Sequence, residues 1–179
     1  MRKIILNLAV SLDGFIEGPN GEYDWCFTDD DYGMTAFFND TDTLFIGRKS
    51  FELIGNNADT FPEKTVYIFS DTMKNNNELN IINSADFDET VQHILSQSGK
   101  NIWLFGGANL VSAFINKNLV TELILSIHPV ILGGGKPLFH DIKSRIDLLL
   151  IDQQAFDSGL LQVKYALKPK FDMEMLKML

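Results

Sequence analysis

The chain has 179 residues, of which 45% are hydrophobic, and carries a net charge of −9 at pH 7. This length and apolar content fit one domain with a sizeable core. Acidic residues are spread along the chain and no basic stripe is present, which argues against a disordered acidic tail and against nucleic-acid binding.

The rare residue types narrow the class further. Cys26 is the only cysteine, so neither a disulfide framework nor a thiolate zinc cluster is expected. The three histidines are scattered without metal-ligand spacing, and we expect no metal site. No apolar run approaches the roughly 20 residues of a membrane span, so we expect no membrane contact and a cytoplasmic location.

The first half of the chain alternates predicted strands and helices. Residues 3–10 predict a core strand, and the glycines and proline of 11–21 predict a loop. The acidic run 29–31 precedes apolar residues at helical spacing and predicts a capped helix. Further strands are predicted at 43–46, 65–69 and 79–82, helices after Ser50 and over 86–98, and polar loops at 55–62 and 73–78.

The most informative stretch is 101–115, NIWLFGGANLVSAFI. Its first apolar run suits a strand buried on both faces, Gly106 and Gly107 break the run, and apolar residues then recur at helical spacing. A strand, glycine turn and helix point free backbone N–H groups at a ligand beyond the strand end. The alternative is an ordinary tight turn that binds nothing. Residues 43–54 repeat the unit with Gly47 at the turn.

The second half of the chain closes with antiparallel signals. Residues 122–127 predict a strand, and 129–137 (PVILGGGKP) predict a glycine-rich loop. Predicted strands at 146–156 and 160–167 flank Asp157-Ser158-Gly159, a hairpin signal. Residues 1–168 are predicted to form one domain, and 169–179 a tail or a short helix.

This element order predicts an α/β fold of three layers. We expect a mostly parallel central sheet with helices on both faces and an antiparallel C-terminal hairpin. Ligands of such sheets bind at the carboxyl ends of the strands. Three candidate segments fall at strand ends: 47–50, 70–71 and 106–109.

Five sequence blocks in this order resemble a known family. They are LAVSLDGFIEG at 8–18, IGRKSFE at 46–52, VYIFSD at 66–71, LFGGANLVSAFI at 104–115 and ELILSIHPVILGGGKPLF at 122–139. The chain resembles the dihydrofolate reductase-like superfamily, and most of all the reductase domain of the riboflavin-biosynthesis deaminase-reductase. The resemblance implies an NADPH-dependent reductase, a homodimer, that acts on a pterin- or aminopyrimidine-like small molecule such as 5-amino-6-(5-phosphoribosylamino)uracil.

The resemblance also implies which residues contact the cofactor. Those implied are Ala9 and Ile16 at the nicotinamide, Gly47, Arg48, Lys49 and Ser50 at the pyrophosphate and adenosine, Phe69 and Ser70 at the adenosine, and Gly106, Gly107, Ala108, Asn109 and Leu110 around the pyrophosphate. Asp71 departs from what a 2′-phosphate requires, since its carboxylate would repel that group, and Asn109 sits where a cation would help. We expect NADPH rather than NADH, with Arg48 and Lys49 supplying the charge and Lys74 as a further candidate cation.

The proton donor is expected at the start of the first helix, where folate reductases carry a carboxylate. Counting from different landmarks selects Asp31 or Asp30. Met34 and Phe38 are expected beside Asp31 and should raise its pKa, as a proton donor requires. The alternative role of the acidic run is capping of the helix.

Two functions stay open for such a fold: a working reductase, and a protein that binds NADP(H) without catalysis. Folate is disfavoured as substrate, because Lys64 stands where folate reductases carry an arginine that grips the glutamate tail. The alternative to a working reductase is a catalytically silent NADP(H)-binding sensor or assembly protein of the same fold.

Overall fold

The computed structural model describes residues 2–74 and 78–168. The predicted tail at 169–179 and part of the predicted loop at 73–78 therefore lie outside the described residues. The strands are β1 Ile4–Ser11, β2 Phe15–Glu17, β3 Thr41–Gly47, β4 Thr65–Phe69, β5 Asn80–Ile82, β6 Asn101–Gly106, β7 Glu122–His128, β8 Lys136–Pro137, β9 Leu148–Ala155 and β10 Leu161–Leu167. The α-helices are α1 Met34–Asn39, α2 Arg48–Leu53, α3 Phe87–Ser96 and α4 Ala108–Asn116.

Eight strands form the central sheet, in the order β5-β4-β3-β6-β1-β7-β10-β9. The six strands from β5 to β7 run parallel, and β10 and β9 add the antiparallel hairpin at one edge. This arrangement confirms the predicted α/β fold with a mostly parallel central sheet and an antiparallel C-terminal hairpin. Parallel order also brings the carboxyl ends of β1, β3, β4 and β6 to one edge of the sheet, where ligands of such folds bind.

Alternating side chains of the central strands supply both faces of the sheet. In β1, Ile4 and Leu6 face one apolar cluster while Ile5 faces the other, and all three are buried. In β6, Leu104 faces the first cluster and Trp103 faces the second. Helices α3 and α4 cover the first face and α1 and α2 the second, which explains why most residues of these strands are apolar.

Two short strands, β2 and β8, were not predicted from the sequence. Phe15 of β2 pairs with Pro137 of β8, so a two-stranded antiparallel ribbon lies within segments that were predicted to be loops. Gly135, beside β8, shows how close this approach is: its φ is +125°, and a Cβ there would lie 2.1 Å from the carbonyl oxygen of Glu17. Glycine is therefore required for the loop to reach β2.

Candidate active site

Two glycine turns meet at the carboxyl ends of the neighbouring strands β3 and β6. Gly47 precedes α2 and Gly107 precedes α4, both with extended backbone, and no described side chain caps either helix. The peptide bond between Gly106 and Gly107 is cis. A helix start without a side-chain cap leaves its first N–H groups free for an anion.

The two turns lie in direct contact. A Cβ on Gly47 would sit 3.4 Å from the backbone nitrogen of Gly107, and a Cβ on Gly107 would sit 3.2 Å from the Ser50 hydroxyl oxygen. Lys136 approaches the same point, with its Nζ 4.0 Å from that Cβ position. Backbone amides and an ammonium group thus converge on one spot, which suits a phosphate or a pyrophosphate.

An outer cleft of about 530 Å³ opens on one side of this contact. It is lined by residues 47–50, 69–72, 82–84 and 107–110, together with Phe87, Ala113 and Lys136. Three of these residues are cationic, and one of the three, Arg48, already pairs with Glu52 at 2.5 Å. The outer cleft is the cationic side of the site.

An inner cavity of about 430 Å³ opens on the other side. It is lined by residues 7–9, 16–17, 26–27 and 53–54, together with Tyr23, Tyr32, Met34, Ser50, Trp103, Phe105, Gly107, Ser126, His128 and Leu160. Ser50 and Gly107 line both spaces, which therefore adjoin at the glycine turns and are together called the groove. An elongated ligand with a central anion fits such a groove.

Comparison with known proteins identifies the family. The model of the RibD C-terminal domain matches residues 2–162. The chain belongs to the RibD C-terminal domain family. Its sequence is 48% identical to the uncharacterized protein YyaP of Bacillus subtilis (strain 168), over 92% of this chain and 94% of that protein.

Solved structures agree with this RibD C-terminal domain assignment at the level of the fold. A putative riboflavin biosynthesis protein from Shewanella sp. PV-4 aligns with a TM-score of 0.79 and 24% identity, covering 93% of this chain and 99% of that one. The dihydrofolate reductase of Enterococcus faecalis, complexed with NADP(H), aligns with a TM-score of 0.69 and 15% identity, covering 93% and 97%.

Most residues predicted to contact a cofactor lie along the groove of this RibD C-terminal domain. Ala9 and Ile16 line the inner cavity. Gly106 lines neither space, and the other predicted residues, namely Gly47, Arg48, Lys49, Ser50, Phe69, Ser70, Gly107, Ala108, Asn109 and Leu110, line the outer cleft. What they bind stays a prediction.

Ser70 and Asp71, which line the outer cleft, are partly engaged in local structure. The Ser70 hydroxyl accepts the N–H groups of Thr72 and Met73, and the Asp71 carboxylate accepts the N–H of Ser84 at 2.6 Å. The bond from Ser84 lowers the pKa of Asp71, so this carboxylate is charged at neutral pH. Lys74, a further candidate cation, is not part of the lining.

The predicted proton donors lie outside the inner cavity. Asp31 is exposed and accepts both the N–H (2.9 Å) and the hydroxyl (2.6 Å) of Thr35, so it caps the start of α1. These bonds lower its pKa, and the expected rise is therefore wrong in direction. Asp30 is exposed too, and its carboxylate accepts the N–H of Asp31 at 2.6 Å. The positive φ of Gly33 sets the helix start at Met34, beyond the acidic run.

His128 is a buried residue of the inner cavity with both ring nitrogens engaged. The N–H of Phe27 donates to Nε2 at 3.0 Å, which requires the neutral ring with its proton on Nδ1, and Nδ1 donates to the carbonyl of Ser126 at 3.0 Å. Burial lowers the pKa of His128. His128 therefore holds the cavity wall in place and has no free proton to give.

Glu17 is the carboxylate of the inner cavity that the sequence analysis missed. It lies on β2, with its Oε1 3.8 Å from Nζ of Lys136 on β8. The only sequence signal was the pair of glycine-containing loops that carry these strands. Nearby Cys26 keeps its proton, because burial raises the pKa of the thiol to about 11. Among the described residues, no group of three His, Cys, Asp or Glu is placed to hold a metal, and no helix is long and apolar enough to cross a membrane.

The neutral state of His128 predicts a pH-dependent stability. The unfolded chain takes up a proton near pH 6.5 while the folded chain resists it, so the free energy of unfolding should fall as the pH drops below about 6.5 and level off below the folded-state pKa. Thermal unfolding between pH 7.5 and 5 measures this. His128→Gln should flatten the profile, whereas His93→Gln, at an exposed position of α3, should leave it unchanged. An identical slope in both variants would show that His128 is not the source of the pH-dependent stability.

The capping role of Asp31 predicts a second loss of stability in acid, at lower pH than that of His128. Asp31→Ala removes two bonds to Thr35 and should lower the melting temperature at pH 7. Because the folded-state pKa is lowered, this stabilisation is present above about pH 3.8 and is lost as the pH falls through the folded-state value. Melting curves of both proteins should therefore converge in acid. Equal melting temperatures at pH 7 would refute the capping role.

Proposed function

We propose that the protein is a cytoplasmic, NADPH-dependent oxidoreductase that reduces a pterin- or aminopyrimidine-like ring, in the manner of 5-amino-6-(5-phosphoribosylamino)uracil reductases. The observation that carries the proposal is the contact of two uncapped glycine turns, with Lys136 beside them, between two adjoining spaces. NADPH would supply the hydride. The family assignment and the likeness to an NADP(H)-bound reductase fold support the choice of cofactor.

The residues of the groove would divide the cofactor between them. Backbone N–H groups of 48–50 and 108–110 would bind the pyrophosphate, with Lys136 and Lys49 balancing its charge. The outer cleft would hold the adenosine, and Ala9 and Ile16 would border the nicotinamide. The apolar walls of the inner cavity would exclude water and orient the two rings for transfer.

The carboxylates of the acidic run have no part in this proposal, because they lie outside the inner cavity. Their position supports the alternative of a catalytically silent NADP(H)-binding sensor or assembly protein. An assay for NADPH oxidation in the presence of oxidised pterins or diaminopyrimidines distinguishes a working reductase from a silent binding protein. If turnover is found, Asp31→Asn should retain it within about threefold.

Binding of the cofactor tests the proposal at its centre. Gly107→Ala keeps an allowed backbone, since φ is −78°, but places a methyl group where the phosphates would lie. We expect NADPH binding, measured by isothermal titration calorimetry, to weaken by about tenfold or more. Gly134→Ala is the matched control, because a Cβ there meets only an ordinary contact with Pro19. Unchanged affinity in Gly107→Ala, or no binding to the natural protein, would contradict the proposal.

The preference for the 2′-phosphate should depend on Asp71. Asp71→Asn removes a charge and keeps an oxygen that can accept the N–H of Ser84. We expect NADPH to bind about three- to tenfold more tightly and NADH to bind as before, because only the former carries a phosphate near this side chain. Asp152→Asn, on β9, is the control for net charge. A parallel gain for both coenzymes would place Asp71 away from the 2′-phosphate.

We also propose that the protein is a homodimer joined at the free edge of β9. All eight residues of this strand are exposed, and four consecutive ones, Leu148–Ile151, are large and aliphatic, with Leu149 56% and Ile151 49% exposed. The backbone of a long apolar edge strand can pair with another strand. In a symmetric dimer the same edge of a second copy would lie antiparallel to it.

Light scattering during gel filtration measures the mass of the particle. We expect twice the mass of one chain for the natural protein, and a single chain for the double variant Leu149→Lys/Ile151→Lys, since charges at the edge oppose pairing. Ile131→Lys changes an even more exposed aliphatic residue elsewhere and should leave the dimer intact. A monomeric natural protein would refute the dimer.

A further inference from the structure

We infer that the inner cavity takes an uncharged or cationic heteroaromatic ring that carries no phosphate. This inference rests on the proposed function, which places the nicotinamide at one end of the cavity and the ring to be reduced beside it. It departs from the ribose-phosphate substrate that the family resemblance implies. The argument depends on what lines the cavity and on where the cations of the groove lie.

The walls of the inner cavity are built to contact a flat ring. Tyr23, Phe27, Tyr32, Trp103 and Phe105 all belong to the lining. Hydrogen bonds hold two of these rings in place: the indole N–H of Trp103 donates to the carbonyl of Asn7, and the hydroxyl of Tyr32 lies 2.8 Å from an Asp29 carboxylate oxygen. Aromatic faces bind neutral heterocycles by stacking and attract cations through their quadrupole.

The charges of the inner cavity are unfavourable for an anion. Among the described residues that line it, none is a lysine or an arginine. His128 is neutral, because its Nε2 accepts the N–H of Phe27. Glu17 brings a carboxylate to the lining. A phosphate in this cavity would lose its hydration and gain no cationic partner, which is strongly unfavourable.

The loop that forms one wall adds to the negative field. Residues 22–31, EYDWCFTDDD, contain five acidic residues and no basic residue. Tyr23, Cys26 and Phe27 of this loop line the cavity. The summed charge of such a loop lowers the local concentration of anions and raises that of cations.

The cations of the groove are all on the cofactor side. Arg48 and Lys49 line only the outer cleft and not the inner cavity, and Arg48 is paired with Glu52. Lys136 also lines only the outer cleft, where its Nζ faces Gly107 and lies within 3.8 Å of Glu17. A bound pyrophosphate would form an ion pair with the ammonium group of Lys136. Glu17 would then be the charged group left to face the ring, and a carboxylate binds the N–H donors of amino-substituted rings.

Matched ligand pairs test the inference in the full-length protein. The first pair is 5-amino-6-ribosylaminouracil and its 5′-phosphate, and the second is 6-methylpterin and 6-carboxypterin. Calorimetric titration with each, at saturating NADP⁺ and again without it, should show the uncharged member binding about tenfold or more tightly than the anionic one. Tighter or equal binding of an anionic member, or no binding of either uncharged ring, would overturn the inference.

Substitution of Glu17 identifies the source of the discrimination. Glu17→Gln should reduce the preference for the uncharged member of each pair to about threefold or less. Glu89→Gln removes the same charge from α3, which does not line the inner cavity, and should leave the preference unchanged. Equal effects in the two variants would show that net charge, rather than the cavity, excludes the anion and would contradict the inference.

The outcome is separable from that of the proposed function. Titration with NADPH alone tests the cofactor and involves neither ring. If NADPH fails to bind while the cofactor-free protein still prefers the uncharged rings, the proposed function is wrong and the ligand class of the cavity stands. If NADPH binds and the phosphate ester is preferred, the reverse holds.

Discussion

The direct contact between two glycine turns is the constraint on which the rest of the site depends. Strands β3 and β6 are neighbours in a parallel sheet, so the turns that follow them must share the space beyond the sheet edge. With Cβ atoms at Gly47 and Gly107 that space would fill, and the amides that begin α2 and α4 would be covered. Side chains are kept out, and backbone N–H groups remain as the surface of the groove.

This contact also divides the groove into two chemical environments. The outer cleft gathers lysine and arginine around the uncapped helix starts, while the inner cavity is walled by aromatic rings with Glu17 as a charged group. An acidic protein of net charge −9 can bind an anion only where local cations and amides outweigh its overall field. The outer cleft meets that condition and the inner cavity does not, and the proposed function therefore assigns the phosphates to the cleft and the ring to the cavity.

The sequence predicts those parts of the fold that depend on local pattern. A buried apolar run, a glycine and apolar residues at helical spacing are contained within 15 residues, so both strand–glycine–helix units were predicted correctly. The ribbon of β2 and β8 was missed, because each strand has at most three residues and the partners Phe15 and Pro137 are far apart in the chain. Glu17 was therefore overlooked.

The direction of single side chains lies beyond such patterns. Asp31 was expected against apolar neighbours, but the left-handed conformation of Gly33 delays the helix until Met34 and leaves Asp31 to accept the bonds of Thr35. The state of His128 depends on Phe27, a residue 101 positions away. The contact of Phe27 with His128 forms only when distant segments pack together, and the bonds of Asp31 depend on the left-handed backbone of Gly33, which apolar spacing does not reveal.

The most direct test of the account is the response of individual backbone amides to the cofactor. Nuclear magnetic resonance spectra of the ¹⁵N-labelled protein, recorded as NADP⁺ is added, report each amide separately. We predict that the signals of Gly107, Ala108 and Asn109 and those of residues 48–50 shift together and by the largest amounts, as expected for N–H groups that donate to phosphate oxygens. Shifts confined to other parts of the chain, or none at all, would contradict the account.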